Sequence, residues 1–166
     1  ESFYTKFVDY KTEDYEVTPK FNQLKKEGIY FANAYATGVR TDNGIPGILS
    51  GYPAHPLFSI VTYSTKIEKL PFLFKDLKAS GYSTQWVYGG DNNFANFNSY
   101  LVNSGFDNIK GLNDYSNDEL FPKAKWGAHD EFILNEFFEY CNSAEKPFAK
   151  LFLSLSNHEP FELPRD

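Results

Sequence analysis

Glu1, Thr41, Asp91 and His158 are the side chains whose types and settings suit chemistry on an anionic ester. Ile45, Ile48 and Leu49 follow helical spacing and Gly51-Tyr52-Pro53 ends it, so a helix is predicted to open at Thr41. A hydroxyl there meets the free amides and partial positive charge of a helix N-terminus, which favour a phosphate or sulfate, and a threonine oxygen can act as a nucleophile. Glu1, in Glu1-Ser2-Phe3, offers a hard oxygen ligand for a divalent cation. Asp91 follows Gly89-Gly90, where the backbone can approach a ligand. His158, in Leu155-Ser156-Asn157-His158-Glu159-Pro160-Phe161, can donate to a phosphate oxygen or protonate a leaving group.

Each of these residues also has an ordinary structural use. Thr41 or Asp42 can cap the helix, the commoner role of those residue types. Glu1 can be an exposed terminal residue, Asp91 a turn former, and His158 a hydrogen-bonded loop histidine. In Trp126-Gly127-Ala128-His129-Asp130-Glu131, Asp130 is expected to favour the start of the last helix through its charge, with pocket lining as the other use of the cluster. His55, between Ala54 and Pro56, reads as surface loop.

The elements that position these residues alternate. Thr18-Pro19 predicts a helix over 19–27 ending at Gly28. Residues 29–35, aromatic and β-favouring, predict a strand that delivers Thr41 to a sheet edge. Leu70, Leu73, Phe74 and Leu77 mark a helix stopping at Gly81, followed by an extended segment at 82–88. Phe94, Phe97 and Leu101 mark another helix ending near Gly105, and residues 110–125 read as an irregular loop. A last helix over 130–140, with Ile133 and Phe137 on one face, precedes an apolar run at 148–155 that resembles a buried parallel strand. Such alternation predicts an α/β fold with helices on both faces of a mostly parallel central sheet.

Composition narrows the function. With 166 residues, 42% hydrophobic and 19% aromatic, the chain has the apolar mass for one domain with a substantial core. Its 16 basic and 22 acidic residues give a net charge of -6 without a Lys/Arg-rich block, which argues against a nucleic-acid partner. No run approaches the roughly 18 apolar residues of a membrane span, so the chain is expected to be soluble. Cys141 is the sole cysteine and excludes an internal disulfide. The absence of Met and the start on Glu1-Ser2-Phe3, which reads as the end of a motif, predict a piece of a longer protein.

In order and spacing, several stretches together resemble the sulfatase-like branch of the alkaline phosphatase superfamily, in particular the phosphoglycerol transferases of the lipoteichoic acid synthase type. They are Glu1-Ser2-Phe3, Thr18-Pro19-Lys20-Phe21, Ala34-Tyr35-Ala36-Thr37-Gly38 through Thr41, Gly47-Ile48-Leu49-Ser50-Gly51-Tyr52-Pro53, Gly90-Asp91, Trp126-Gly127 and Ser156-Asn157-His158-Glu159-Pro160-Phe161. The resemblance implies a three-layer α/β/α catalytic domain, present over 1–166 as a truncated fragment without its first strand and its C-terminal metal-binding portion. It implies Thr41 as nucleophile, Glu1 and Thr41 as metal ligands, and Asp91 and His158 as substrate contacts. The implied cofactor is one divalent ion, manganese first, with magnesium or zinc as alternatives.

The sulfatase signature C-x-P-S-R-x-x-L-x-T-G, aligned by its last Gly on Gly51, begins at Thr41, with Asn43 in place of its Pro and Ile45 in place of its Arg. Threonine is not converted to formylglycine, so the expected reaction is phosphoryl transfer or phosphodiester hydrolysis on an envelope lipid head group or glycan. Sulfate ester hydrolysis and a non-catalytic head-group-binding role are the alternatives. Phe94-Ala95-Asn96-Phe97 stands where the transferases carry a Trp and an Arg. The family's Asp-His metal pair is expected after Asp166, since His129-Asp130 is in reverse order and precedes the His158 motif. The resemblance further implies a membrane-anchored parent acting outside the cytoplasm, with this fragment inactive by itself.

Overall fold

Pro19 has its φ already fixed for a first helical turn and no amide to leave unbonded, and α1 (Pro19–Glu27) begins there. The computed structural model describes residues 3–115 and 123–163, and the chain divides into two units, Ser2–Tyr35 and Ala36–Asp166. In the smaller unit the turns before α1 are organised by a buried polar side chain. Asn22 Oδ1 accepts the Asp9 amide at 2.9 Å and its Nδ2 donates to Glu16 at 2.6 Å. Thr18 occupies the N-cap position without a capping bond. Its hydroxyl instead donates to the Phe7 carbonyl at 2.9 Å and lies 3.1 Å from Asn22 Oδ1.

The larger unit runs α2 (Thr41–Ser50), α3 (Ser64–Ile67), α4 (Leu73–Ala79), β1 (Ser83–Tyr88), α5 (Phe97–Asn103), β2 (Asn108–Lys110), β3 (Lys123–Ala124), β4 (Gly127–Ala128), α6 (Asp130–Ser143) and β5 (Phe148–Leu153). A three-stranded parallel sheet has the order β2-β1-β5, with Trp86 opposite Ile109 on one side and Leu151 on the other. Strand side chains alternate between faces, so the adjacent Trp86 and Val87, both fully buried, enter different cores. Trp86 packs with Ile45 and Leu49 of α2, Phe74 of α4, and Phe97, Tyr100 and Leu101 of α5. Val87 packs with Ala128 and with Ile133 and Phe137 of α6. Helices therefore cover both faces, the three-layer α/β/α arrangement with a parallel sheet that the sequence predicts.

Two polar contacts hold α2 against this core. Pro46 lies inside α2 and has no amide to offer the Asp42 carbonyl four residues back. The buried Ser59 hydroxyl donates to that carbonyl at 2.8 Å instead. At the other end Ser50 Oγ lies 2.7 Å from the Tyr100 hydroxyl, and burial pushes the Tyr100 phenol up to about 12.

Four sequence expectations need correction. The run at 148–155, expected as a buried strand, pairs in parallel only over Phe148–Leu153 and is half-buried along that length. Residues 29–35 form no strand. Ile29, Phe31 and Tyr35 are largely exposed and unladdered, and β-favouring residues without a partner strand gain nothing from an extended backbone. The helix expected from Phe94 is broken, because Ala95 and Asn96 take positive φ before α5 starts at Phe97. Within residues 110–125, expected to be irregular throughout, Lys123–Ala124 pairs antiparallel with Gly127–Ala128.

Candidate active site

Thr41 occupies the first turn of α2, as the spacing of its apolar residues predicts. The N-cap position falls on Arg40, whose side chain makes no capping bond, so capping from that position does not belong to Thr41 or Asp42. The Arg40 backbone carbonyl accepts from the Asn43 and Gly44 amides at 3.1 and 2.8 Å, and Thr41 stands at the positive end of the helix, the kind of place that favours an anion. Gly38 and Gly47 keep the preceding loop close. A Cβ on Gly38 would come within 2.8 Å of Ala54 and Asn43, and one on Gly47 within 2.6 Å of the Thr37 hydroxyl.

Asp91 and His158 follow the C-terminal ends of β1 and β5, adjacent parallel strands, so the sheet brings both loops to the same edge. The Asp91 carboxylate accepts from the Asn93 amide at 2.8 Å and from Asn93 Nδ2 at 3.1 Å, an Asx turn on an exposed loop. The structure therefore realises the turn-forming use of Asp91. Behind it, the buried Asn92 accepts from the Trp86 indole at 3.1 Å, which anchors the loop to the sheet.

The two loops are joined through β4. The Ala128 amide donates to the Gly89 carbonyl at 3.0 Å, and Gly90 and Gly127 form a bridge. A Cβ on Gly89 would meet the Ala128 carbonyl oxygen at 2.4 Å, and one on Gly127, at φ 148°, the Gly89 oxygen at 2.2 Å. Only glycine permits this backbone approach. On the other side, Asp130 ties α6 to the loop after β5. Its carboxylate accepts the Leu155 and Ser156 amides at 2.7 to 2.9 Å, while its own amide donates to Ser156 Oγ at 2.8 Å. Asp130 thus clamps the His158 loop, a long-range role that its position at the start of a helix did not disclose.

Trp126 is the residue that the sequence left undervalued. Its indole N–H donates to the Glu159 carbonyl at 2.6 Å. Its ring lies 4.8 Å from that of His158 and 6.5 Å from that of Phe94. Phe94, whose spacing with Phe97 and Leu101 predicts a helix, lies outside α5 and is 70% exposed, with the chain reversing at Ala95 and Asn96. A pocket of about 20 Å³ is lined by Trp126, His129, Ser156 and His158 among others. His158 Nδ1 lies 3.0 Å from the Glu159 carbonyl, which leaves Nε2 as the nitrogen beyond that contact. His55 is exposed, as expected, and stacks on Phe58 at 4.0 Å.

Asp42 Oδ1, one residue from Thr41, is buried without a hydrogen-bond partner and is a hard oxygen of the kind a divalent ion takes. Among the described residues, however, no group of three or more His, Cys, Asp and Glu side chains is arranged to hold a metal. Glu1, the expected metal ligand, lies outside the described residues. The described part of the chain therefore does not by itself assemble the donor set that a divalent ion requires.

A parallel sheet with helices on both faces, a hydroxyl at a helix N-terminus, and an Asp loop and a His loop at one sheet edge define an α/β protein whose candidate loops follow the C-terminal ends of its strands. The chain belongs to the sulfatase family, whose model matches residues 1–166. It is similar to phosphoglycerol transferase I of Salmonella choleraesuis, 27% identical over 155 residues that take in 87% of this chain and 20% of that protein. Phosphoglycerol transferase I of Xanthomonas campestris pv. campestris is 34% identical over 89 residues, 51% of this chain and 13% of that protein. The chain thus spans a fifth or less of these two relatives. A solved alkaline phosphatase superfamily protein from Vibrio parahaemolyticus superposes with a TM-score of 0.76 and 35% identity, over 89% of this chain and 36% of that one. A lipoteichoic acid synthase from Listeria monocytogenes shares the fold, with a TM-score of 0.82 and 20% identity over 98% of this chain and 40% of that one.

Proposed function

We propose that the protein containing this chain transfers or hydrolyses a phosphoryl group, with Thr41 as nucleophile and an envelope lipid head group or glycan as the substrate class. The observation that carries this reading is the placement of Thr41 in the first turn of α2, with no side-chain cap at Arg40. The relatives' name, phosphoglycerol transferase, supports phosphoester rather than sulfate ester chemistry. Thr41 Oγ1 forms a bond to phosphorus while the bond to the departing alcohol breaks, and the hydroxyl proton ends on that alcohol. An acceptor hydroxyl or water then cleaves the Thr41–phosphorus ester and restores the threonine.

His158 donates to the phosphoryl oxygens or the leaving oxygen, and Asp91 orients the substrate from the neighbouring loop. One divalent cation belongs to the proposal, manganese before magnesium or zinc, held by Glu1 and Thr41 together with ligands that the described residues do not supply. Bound there, such an ion would supply Lewis-acid stabilisation of phosphoryl charge. Action outside the cytoplasm by a membrane-anchored parent is also proposed. Among the described residues no helix is long and apolar enough to cross a membrane.

The test is turnover of a glycerophospholipid by the full-length protein, followed by phosphorus NMR with and without manganese. Loss of at least about a thousandfold in Thr41→Ala and Thr41→Val, with folding retained, is expected for removal of a nucleophile. Retained lipid turnover in both variants, or turnover confined to sulfate esters, refutes the proposal.

A further inference from the structure

We propose that Trp126 and Phe94 form the wall of a subsite for the non-reacting alcohol portion of the phosphoester, and that Trp126 also sets the plane of the His158 ring. This rests on the reading of His158 as a substrate contact. Trp126 sits between the two rings, 4.8 Å from His158 and 6.5 Å from Phe94. Its indole N–H is committed to the Glu159 carbonyl at 2.6 Å, which fixes the ring rather than leaving it to rotate. Yet Trp126 is 38% exposed and Phe94 70% exposed, so an aromatic surface anchored by the indole faces outward beside the histidine.

The size of the neighbouring pocket decides how a ligand uses that surface. At about 20 Å³ the pocket beside Trp126 and His158 is small, so most of an organic group lies outside it. The organic portion must lie across the aromatic faces while the anionic portion meets His158. Faces of this kind attract the C–H edges of sugars and glycerol and the rings of aryl esters. Lys125, whose Nζ is 5.3 Å from the Trp126 ring centroid, adds a positive charge at the rim. Trp126 is thus a specificity and positioning residue and takes no part in bond making.

Calorimetric titration of the full-length protein with inorganic phosphate and with phenyl phosphate separates this role from general loss of the site. Wild type is expected to prefer phenyl phosphate by about tenfold, and Trp126→Ala and Phe94→Ala to cut that preference to about twofold or less. The affinity for inorganic phosphate should move by less than about twofold in Phe94→Ala, an exposed loop position whose replacement leaves the core intact. Trp126→Phe, which keeps a ring, should retain most of the preference. An unchanged preference in both alanine variants removes the subsite alone. A wild-type protein that binds neither probe, or an unchanged phosphate affinity in His158→Ala, removes the reading of His158 and the subsite with it.

Discussion

Gly127→Ala is the change that most directly tests how the site is held together. Gly127 has φ 148°, a region that a residue with a Cβ rarely adopts, and the added carbon would lie 2.2 Å from the Gly89 oxygen and 2.9 Å from its carbonyl carbon. Those are backbone atoms, so no side-chain rotation relieves the overlap. An ordinary carbon–oxygen contact lies near 3.3 Å, so the strands must separate by about 1 Å. That breaks the Ala128-to-Gly89 hydrogen bond and the Gly90–Gly127 bridge. Losing those bonds costs about 1–3 kcal/mol, and the backbone strain costs about 1–3 kcal/mol more. The expected loss of stability is about 2–6 kcal/mol, read by urea unfolding. Gly81→Ala is the control: it has φ 86° and open space around its Cβ, so it retains only the strain component, about 1–2 kcal/mol. If Gly127→Ala costs less than Gly81→Ala, β4 does not hold the Asp91 and Trp126 loops as described.

Other outcomes follow from α2 and the sheet edge. Ser59→Ala leaves the Asp42 carbonyl without its substitute donor and should lower stability by about 1–3 kcal/mol in denaturant melts. Gly44→Ala, in the middle of α2 with nothing within 4 Å of the added carbon, should raise stability by about 0.5–1 kcal/mol, seen as a higher melting temperature. Lys78 and the Thr84 amide hold the Asp107 carboxyl below its ordinary value. Its contribution to stability is therefore fully present above that ordinary value and is lost as the pH falls through the lowered one. Asp107→Asn should flatten this acid limb in unfolding curves taken across the acidic range.

The helix-and-strand alternation was legible because its signals are local. Leu73, Phe74 and Leu77 stop at Gly81, and the apolar run at 148–153 pairs in parallel with β1, half-buried rather than buried. Residues 29–35 misled because β-favouring residues form strands only where a partner backbone exists, which is a long-range fact. Phe94 misled for a related reason: its helical spacing with Phe97 and Leu101 is real, but Asn93 precedes a reversal at Ala95 and Asn96 that turns the ring outward. The position of Thr41 at the start of α2 was readable from Ile45, Ile48 and Gly51. The joining of the two loops was not, since it depends on Gly89, Gly90 and Gly127 meeting across some 37 residues of sequence. Ser59 had no signal beyond the proline in α2, whose missing amide demands a donor from elsewhere.

Intact-protein mass spectrometry of the full-length protein, quenched in acid during turnover of a glycerophospholipid, tests the nucleophile most directly. A covalent phosphoglycerol or phosphoryl adduct is expected in wild type, localised by fragmentation to Thr41 and missing from Thr41→Ala. An adduct on any other residue, or full lipid turnover by Thr41→Ala without one, would contradict the assignment of Thr41.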